Sequence, residues 1–182
     1  MKKVTSDVSP IHWQYGAIAR LQPGETIEKF IYGGYATLSL GYIGMYEATV
    51  LTKHCSHTTP EGRKFAMRIM DDLNAHIQQW KKETNIGFAL YGTPAENLTN
   101  RFCKIDKARF GSIANVTDKD YYTNSYHVDV REPINVFDKF SFEADFEDKS
   151  TGGCISYAEI PNMSHNIPAV LTMIQYIYDH IA

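Results

Sequence analysis

Ile86-Gly87-Phe88-Ala89-Leu90-Tyr91-Gly92-Thr93-Pro94-Ala95-Glu96-Asn97-Leu98 carries an apolar run into a helix start within a few residues. The run Ile86–Tyr91 reads as a buried strand, being short, apolar and closed by Gly92. Thr93 suits an N-cap, because its hydroxyl can accept from the orphan amides of the first turn. Pro94 suits the next position, where no amide is needed and φ is already helical. The amides of Ala95, Glu96 and Asn97 are then expected to point out of the helix end. The dipole leaves partial positive charge there, and such an end can hold a phosphate. The same residues also form a complete capping box, with Glu96 reaching back to the Thr93 amide. The local pattern therefore fits a plain cap and a phosphate site alike.

Outward from this stretch, helical and strand patterns alternate. Met1–Leu21 reads as irregular with Pro10 breaking any early helix, then a helix over Tyr15–Leu21 and a turn at Pro23-Gly24. Glu25–Ile31 reads as a short helix, Tyr35–Ile43 as a strand and Met45–His54 as a helix. Gly41 and Gly44 flank Tyr42-Ile43 at that junction, where glycine permits close backbone approach. Thr59 and Pro60 open a long amphipathic helix, Pro60–Thr84, with Phe65, Ile69, Leu73, Ile77 and Trp80 as its apolar stripe. The capped helix Pro94–Phe110 follows, then a polar connection at Val116–Tyr121. Tyr122–Val130 alternates as a strand ended by Pro133, and Pro133–Phe146 fits a helix or a docking segment. Gly152–Ile160 reads as a further buried strand before a helix over Asn166–Ile181, striped by Val170, Leu171, Ile174, Ile177, Tyr178 and Ile181. Strands alternating with helices argue for an α/β arrangement with parallel strands.

The segment Tyr91-Gly-Thr-Pro-Ala-Glu-Asn-Leu-Thr resembles a signature of the anaerobic (class III) ribonucleoside-triphosphate reductases, which are glycyl-radical enzymes. Further blocks resemble the same family in the same order. They are Leu38-Ser-Leu-Gly-Tyr-Ile-Gly-Met-Tyr-Glu47, Tyr122-Thr-Asn-Ser-Tyr-His-Val-Asp129, Gly152-Gly-Cys-Ile-Ser-Tyr-Ala-Glu159 and Pro161-Asn162. The resemblance runs from about Asp7 to the C-terminus. It implies an α/β fold that is part of a ten-stranded α/β barrel, incomplete in this chain. Residues 1–182 would form a single segment, the C-terminal portion of the catalytic barrel domain.

The family reduces ribonucleoside triphosphates to deoxyribonucleoside triphosphates by radical chemistry. The resemblance implies that Thr93, Ala95, Glu96, Asn97 and Leu98 line the site for the substrate's phosphates, through backbone amides. It makes Leu38–Glu47 a wall of the substrate cavity. It implies a glycyl radical installed by an iron–sulfur, S-adenosylmethionine-dependent activating enzyme, a zinc site outside this chain, and formate or a dithiol protein as reductant. A homodimer is the expected state of the full-length enzyme. The family's Met-Gly-Cys loop and Arg-x-Cys-Gly-Tyr segment do not occur here. No catalytic residue, metal ligand or cofactor is therefore expected within this chain, which alone should not turn over substrate.

Other residues allow competing readings. A stand-alone nucleotide-binding or regulatory module would share the helix-start site and need no radical. His127 and Asp129 would share a strand face and, with Cys154, could suggest a cysteine hydrolase. The simpler reading is a hydrogen-bonded polar strand with Cys154 as a buried thiol. The three cysteines, Cys55, Cys103 and Cys154, are too dispersed for a disulfide framework or paired zinc ligands. A net charge of −3 gives no electrostatic case for nucleic acid. No apolar stretch is long enough to span a membrane, and polar residues follow the opening Met-Lys-Lys. The cytoplasm is the expected compartment.

Overall fold

A computed structural model describes residues 3–17 and 19–181. The chain divides into two compact units, Met1–Ser39 with Ala75–Ala89, and Leu40–Asn74 with Leu90–Ala182. Strands β1 (Thr37–Gly41) and β2 (Gly87–Tyr91) pair in parallel, with helices α1 (Pro10–Trp13), α2 (Met45–Lys53) and α3 (Pro60–Thr84) before β2. Helices α4 (Glu96–Phe110), α5 (Val136–Lys149) and α6 (Ile167–His180) follow it. The expected α/β class holds.

The smaller unit is built on Leu21, Ile27 and Ile31, with Val4, Trp13, Phe30 and Ile86 packed against them. Pro10 starts α1 instead of breaking it, since a proline costs nothing in a first turn. No helix forms among the described residues of Tyr15–Leu21, and Ile18 lies outside them. The short helix expected over Glu25–Ile31 contracts to a 3₁₀ turn at Glu28–Phe30. Its first residues are taken by a bridge between Thr5 and Thr26, with Ile27 N–H donating to the Val4 carbonyl at 3.1 Å.

Helix α3 has the expected bounds. Thr59 Oγ1 accepts from the Gly62 amide at 3.1 Å, a capping bond with Pro60 in the first turn. The buried line is displaced from the expected stripe. Ala66, Met70 and Ile77 have no exposure, whereas Phe65, Ile69 and Leu73 are half-buried. Small residues let the neighbouring chain approach: a Cβ on Gly62 would lie 2.0 Å from the Ser56 carbonyl oxygen.

In the larger unit, Tyr126, Phe146, Phe142, Phe140 and His57 fill the core, and the Tyr126 and Phe146 rings stack 5.8 Å apart. Gly44 caps α2 in the left-handed region at φ 75°, which glycine adopts without steric cost. Two expected strands are absent. Tyr122–Val130 is a loop with one bridge, Ile43 to Asn124, and Ser125 takes a positive φ of 36°. Two of its backbone donors are satisfied by carboxylates from two helices. Thr123 N–H donates to Glu47 of α2 at 2.8 Å, and Val128 N–H to Glu143 of α5 at 3.1 Å. No adjoining strand is needed. Gly152–Ile160 is likewise not a ladder strand, and Ile155, Tyr157 and Ile160 are exposed. It is tied to the end of β2 by Gly152 N–H to the Leu90 carbonyl (2.6 Å) and Gly92 N–H to the Gly153 carbonyl (3.0 Å).

Candidate functional site

The turn after β2 is shaped by close packing. A Cβ on Gly92 would stand 2.9 Å from Tyr126 Cε1 and 3.3 Å from Cys154 Cβ, so only glycine lets the strand pass there. Thr93 sits over Gly41, whose added Cβ would meet Thr93 Cβ and Oγ1 at 3.1 Å. Helix α4 begins at Glu96 with Ala95 as N-cap, two residues beyond the expected start. Thr93 therefore does not cap it, and the Thr93–Glu96 capping box does not form. The cause is tertiary. Ala95 N–H is shared between the Thr93 carbonyl (3.0 Å) and Asn124 Oδ1 (3.1 Å), which holds Ala95 out of helical geometry at ψ 44°.

Of the amides expected at this helix mouth, Ala95 N–H is thus already engaged. Leu98 N–H is engaged too, donating to the Ala95 carbonyl at 2.9 Å. Glu96 and Asn97 N–H have no acceptor among the described residues, and both residues are exposed. These two amides remain able to meet an anion.

Beside this mouth lies a cavity of about 620 Å³, with Glu96, Asn124, His127, Glu132, Lys139 and Tyr157 on its wall. Among the residues predicted from sequence, Glu96 lines it. Thr93, Ala95, Asn97 and Leu98 adjoin Glu96 in the chain without forming its wall.

The loop that carries Asn124 and His127 is held by buried charge. Lys119 Nζ lies 2.6 Å from Glu47 Oε1 and bonds Asp129, with all three side chains almost fully enclosed. The ammonium also faces the rings of Tyr46 at 4.9 Å and Tyr121 at 4.6 Å. Glu47 Oε1 accepts additionally from Thr123 Oγ1 at 2.8 Å, and Asp129 Oδ1 from Arg131 Nε at 3.1 Å. Burial pushes the Asp129 carboxyl up, yet Lys119 and Arg131 outweigh it and hold it below the ordinary value.

A second carboxylate, Glu143, supports the other side of the cavity. It is fully buried and lies 3.3 Å from His127 Nδ1, which makes no hydrogen bond of good geometry. Lys139 Nζ reaches its two oxygens at 2.7 and 2.8 Å, and Ser156 Oγ donates at 2.8 Å. Burial raises the Glu143 carboxyl, but His127 and Lys139 prevail and hold it down. The His127 ring meets Tyr157 edge-on at 5.3 Å.

His127 and Asp129 do not act together, since His127 turns to Glu143 while Asp129 turns to Lys119 and Arg131. Burial and Glu147 push the Cys154 thiol up. A thiol so placed is not an activated nucleophile, which argues against a cysteine hydrolase. Among the described residues no group of three or more His, Cys, Asp or Glu could hold a metal ion, and no helix is long and apolar enough to cross a membrane. Asn124, Lys139 and Glu143 were not legible as site residues. Asn124 lay in a block that the sequence singled out, but nothing local connects it to Ala95.

Comparisons with known proteins bear on this arrangement. The family described as anaerobic ribonucleoside-triphosphate reductase matches residues 1–182. The chain is 42% identical over 182 residues to the anaerobic ribonucleoside-triphosphate reductase of Enterobacteria phage T4, covering 100% of this chain and 29% of that protein. It is 40% identical over 184 aligned positions to that of Escherichia coli (strain K12), covering 100% of this chain and 26% of that protein. The chain thus spans between a quarter and a third of the length of these relatives. Among solved structures, an anaerobic ribonucleotide reductase matches with a TM-score of 0.67 at 18% identity, over 87% of this chain and 24% of that one. The Thermotoga maritima anaerobic ribonucleotide reductase in complex with dATP and CTP matches at 0.60 and 16% identity, over 80% and 24%. At such identity these structures speak to the fold alone, and the fold here is a portion of theirs.

Proposed function

Because the chain belongs to the anaerobic ribonucleoside-triphosphate reductase family, we propose that it supplies the phosphate cradle and part of the substrate wall of such an enzyme. The full-length protein reduces ribonucleoside triphosphates to deoxyribonucleoside triphosphates for DNA synthesis. Its partners are the radical-SAM activating enzyme, formate or a dithiol protein as reductant, and a second subunit, all in the cytoplasm. A glycyl radical in the full-length enzyme would supply the radical chemistry that starts the reaction. The residues of this chain do not fit a zinc site: Cys55, Cys103 and Cys154 are free and stand on separate segments, and Cys103 donates to the Lys119 carbonyl. Metal and radical are therefore assigned to other segments, and no step is derived through them.

What this chain's residues do is bind and orient. The observation that carries the reading is the pair of free amides, Glu96 and Asn97 N–H, at the mouth of the 15-residue helix α4. An anion there meets two donors and the positive end of the dipole. Among the described residues, the cavity wall beside it leaves no unpaired lysine for a phosphate, so the donors are the backbone amides. Glu96, Glu132 and Glu159 line it, and the ammonium of Lys139 is occupied by Glu143 and the Tyr157 carbonyl. The sheltered loop with Asn124 and His127 would hold the nucleotide still and limit water around the reacting ribose.

The test is a pair of substitutions at one position in the full-length protein. Glu96→Ala removes negative charge and keeps the amide; Glu96→Pro removes both, at a helix position that tolerates proline. CTP affinity should be unchanged or tighter in the first. In the second it should fall about tenfold or more relative to the first, the worth of one hydrogen bond to a charged group. Equal affinities in the two folded variants would remove the phosphate assignment.

A further inference from the structure

We infer that Asn124 is a substrate-binding residue: while its oxygen anchors the turn, its amide nitrogen donates to a phosphate oxygen of the bound nucleotide. The inference rests on the phosphate reading above and extends it to a side chain far away in sequence. A primary amide has one acceptor end and one donor end. Ala95 N–H can only donate, so the atom 3.1 Å from it must be the Asn124 oxygen. That assignment removes the rotational ambiguity of the amide. The NH₂ group is thereby directed away from Ala95, and it has no acceptor among the described residues. Asn124 is half-buried and lines the cavity together with Glu96, the first residue of α4.

Two features make this placement more than a loop contact. The position of Asn124 is over-determined: it bridges to Ile43, and its neighbours are fixed by Gly44 N–H to the Thr123 carbonyl (2.8 Å) and Met45 N–H to the Ser125 carbonyl (3.1 Å). Lys139, the lysine on this wall, is engaged by Glu143 and the Tyr157 carbonyl, so the side-chain donor left for an anion there is uncharged. Glu96 N–H, Asn97 N–H and the Asn124 NH₂ would then form three donors around one phosphate group. The bond from Asn124 to Ala95 sets the spacing between the first two and the third.

The two ends of the amide can be separated by experiment. Asn124→Asp keeps an oxygen for Ala95 N–H but loses the donor and adds a negative charge, so Asn124→Ala, which loses the donor without adding charge, is measured beside it. In the full-length protein without radical activation, CTP affinity should fall by about tenfold or more, as for loss of a bond to a charged group. Cytidine, which has no phosphate, should bind within about twofold of the parent, since nothing it contacts has changed. CTP affinity that stays within about twofold would overturn the inference and leave Asn124 as an anchor only. Should Asn124→Asp fail to fold, Asn124→Ala is compared in the parent and in an Ala95→Pro background, where the anchoring bond no longer exists. A loss of CTP affinity that survives in that background supports the donor role; one that vanishes there refutes it. If Glu96→Pro leaves CTP binding intact, the phosphate reading itself fails. If Glu96→Pro weakens it and Asn124→Asp does not, only the present inference fails.

Discussion

Replacing Lys119 by methionine removes the cation on which the cavity loop is built, while nearly preserving side-chain length. Glu47 and Asp129 are 3% and 1% exposed, so both carboxylates would be left in a low-dielectric site. Breaking a buried pair by deleting one partner costs about 3–5 kcal/mol, much of it from the stranded charge. Here both survivors keep some support. Glu47 still accepts from the Thr123 amide and hydroxyl, and Asp129 still meets Arg131. The lower end, about 3 kcal/mol, is therefore expected. The loss should appear locally, because the cluster holds residues 119–131 and not the helices around them. Native-state hydrogen exchange on peptides spanning this loop should accelerate by roughly 150-fold, the equivalent of that free energy. Adding Glu47→Gln should restore about 1–2 kcal/mol, since the amide oxygen still serves Thr123 and no charge is stranded there. Exchange within about threefold of the parent in Lys119→Met would show that the ion cluster does not hold the loop. CTP binding should weaken in the same variant, as Asn124 and His127 ride on that loop.

Acid should loosen the other side of the cavity. The Glu143 carboxyl is held below its ordinary value of 4.5, so its contribution is complete above that pH and is lost as pH falls through the depressed folded value. Exchange of the Val128 amide, which donates to Glu143, should accelerate over that acid range in the parent. In Glu143→Gln the pH step should be absent; an unchanged step would assign the titration to another group. Cys154 should react slowly with a thiol reagent near neutral pH, because burial and Glu147 raise its thiol above 9.0. His127→Ala should leave that rate unaltered, whereas a large drop would reinstate a thiol–imidazole pair.

Local chemistry was enough to place most helices. The bounds of α3 follow from Thr59, Pro60 and a repeating apolar pattern, all within one stretch of chain. The position of β2 follows from an apolar run closed by Gly92. The family blocks were legible for a similar reason, being contiguous strings. What the sequence left undecided were features whose hydrogen-bond partners lie far away. The start of α4 moved from Pro94 to Glu96 because Asn124, 29 positions on, takes the Ala95 amide. Tyr122–Val130 has a strand's alternation but is a loop, in which Glu47 and Glu143 take the Thr123 and Val128 amides from outside any sheet. A periodic pattern records which side chains prefer burial; it does not record which distant oxygen a backbone amide will meet. Residue order alone thus determined helices α2, α3 and α6, the two strands and the family. Tertiary contact decided which amides at the helix mouth stay free, and so where an anion could be held.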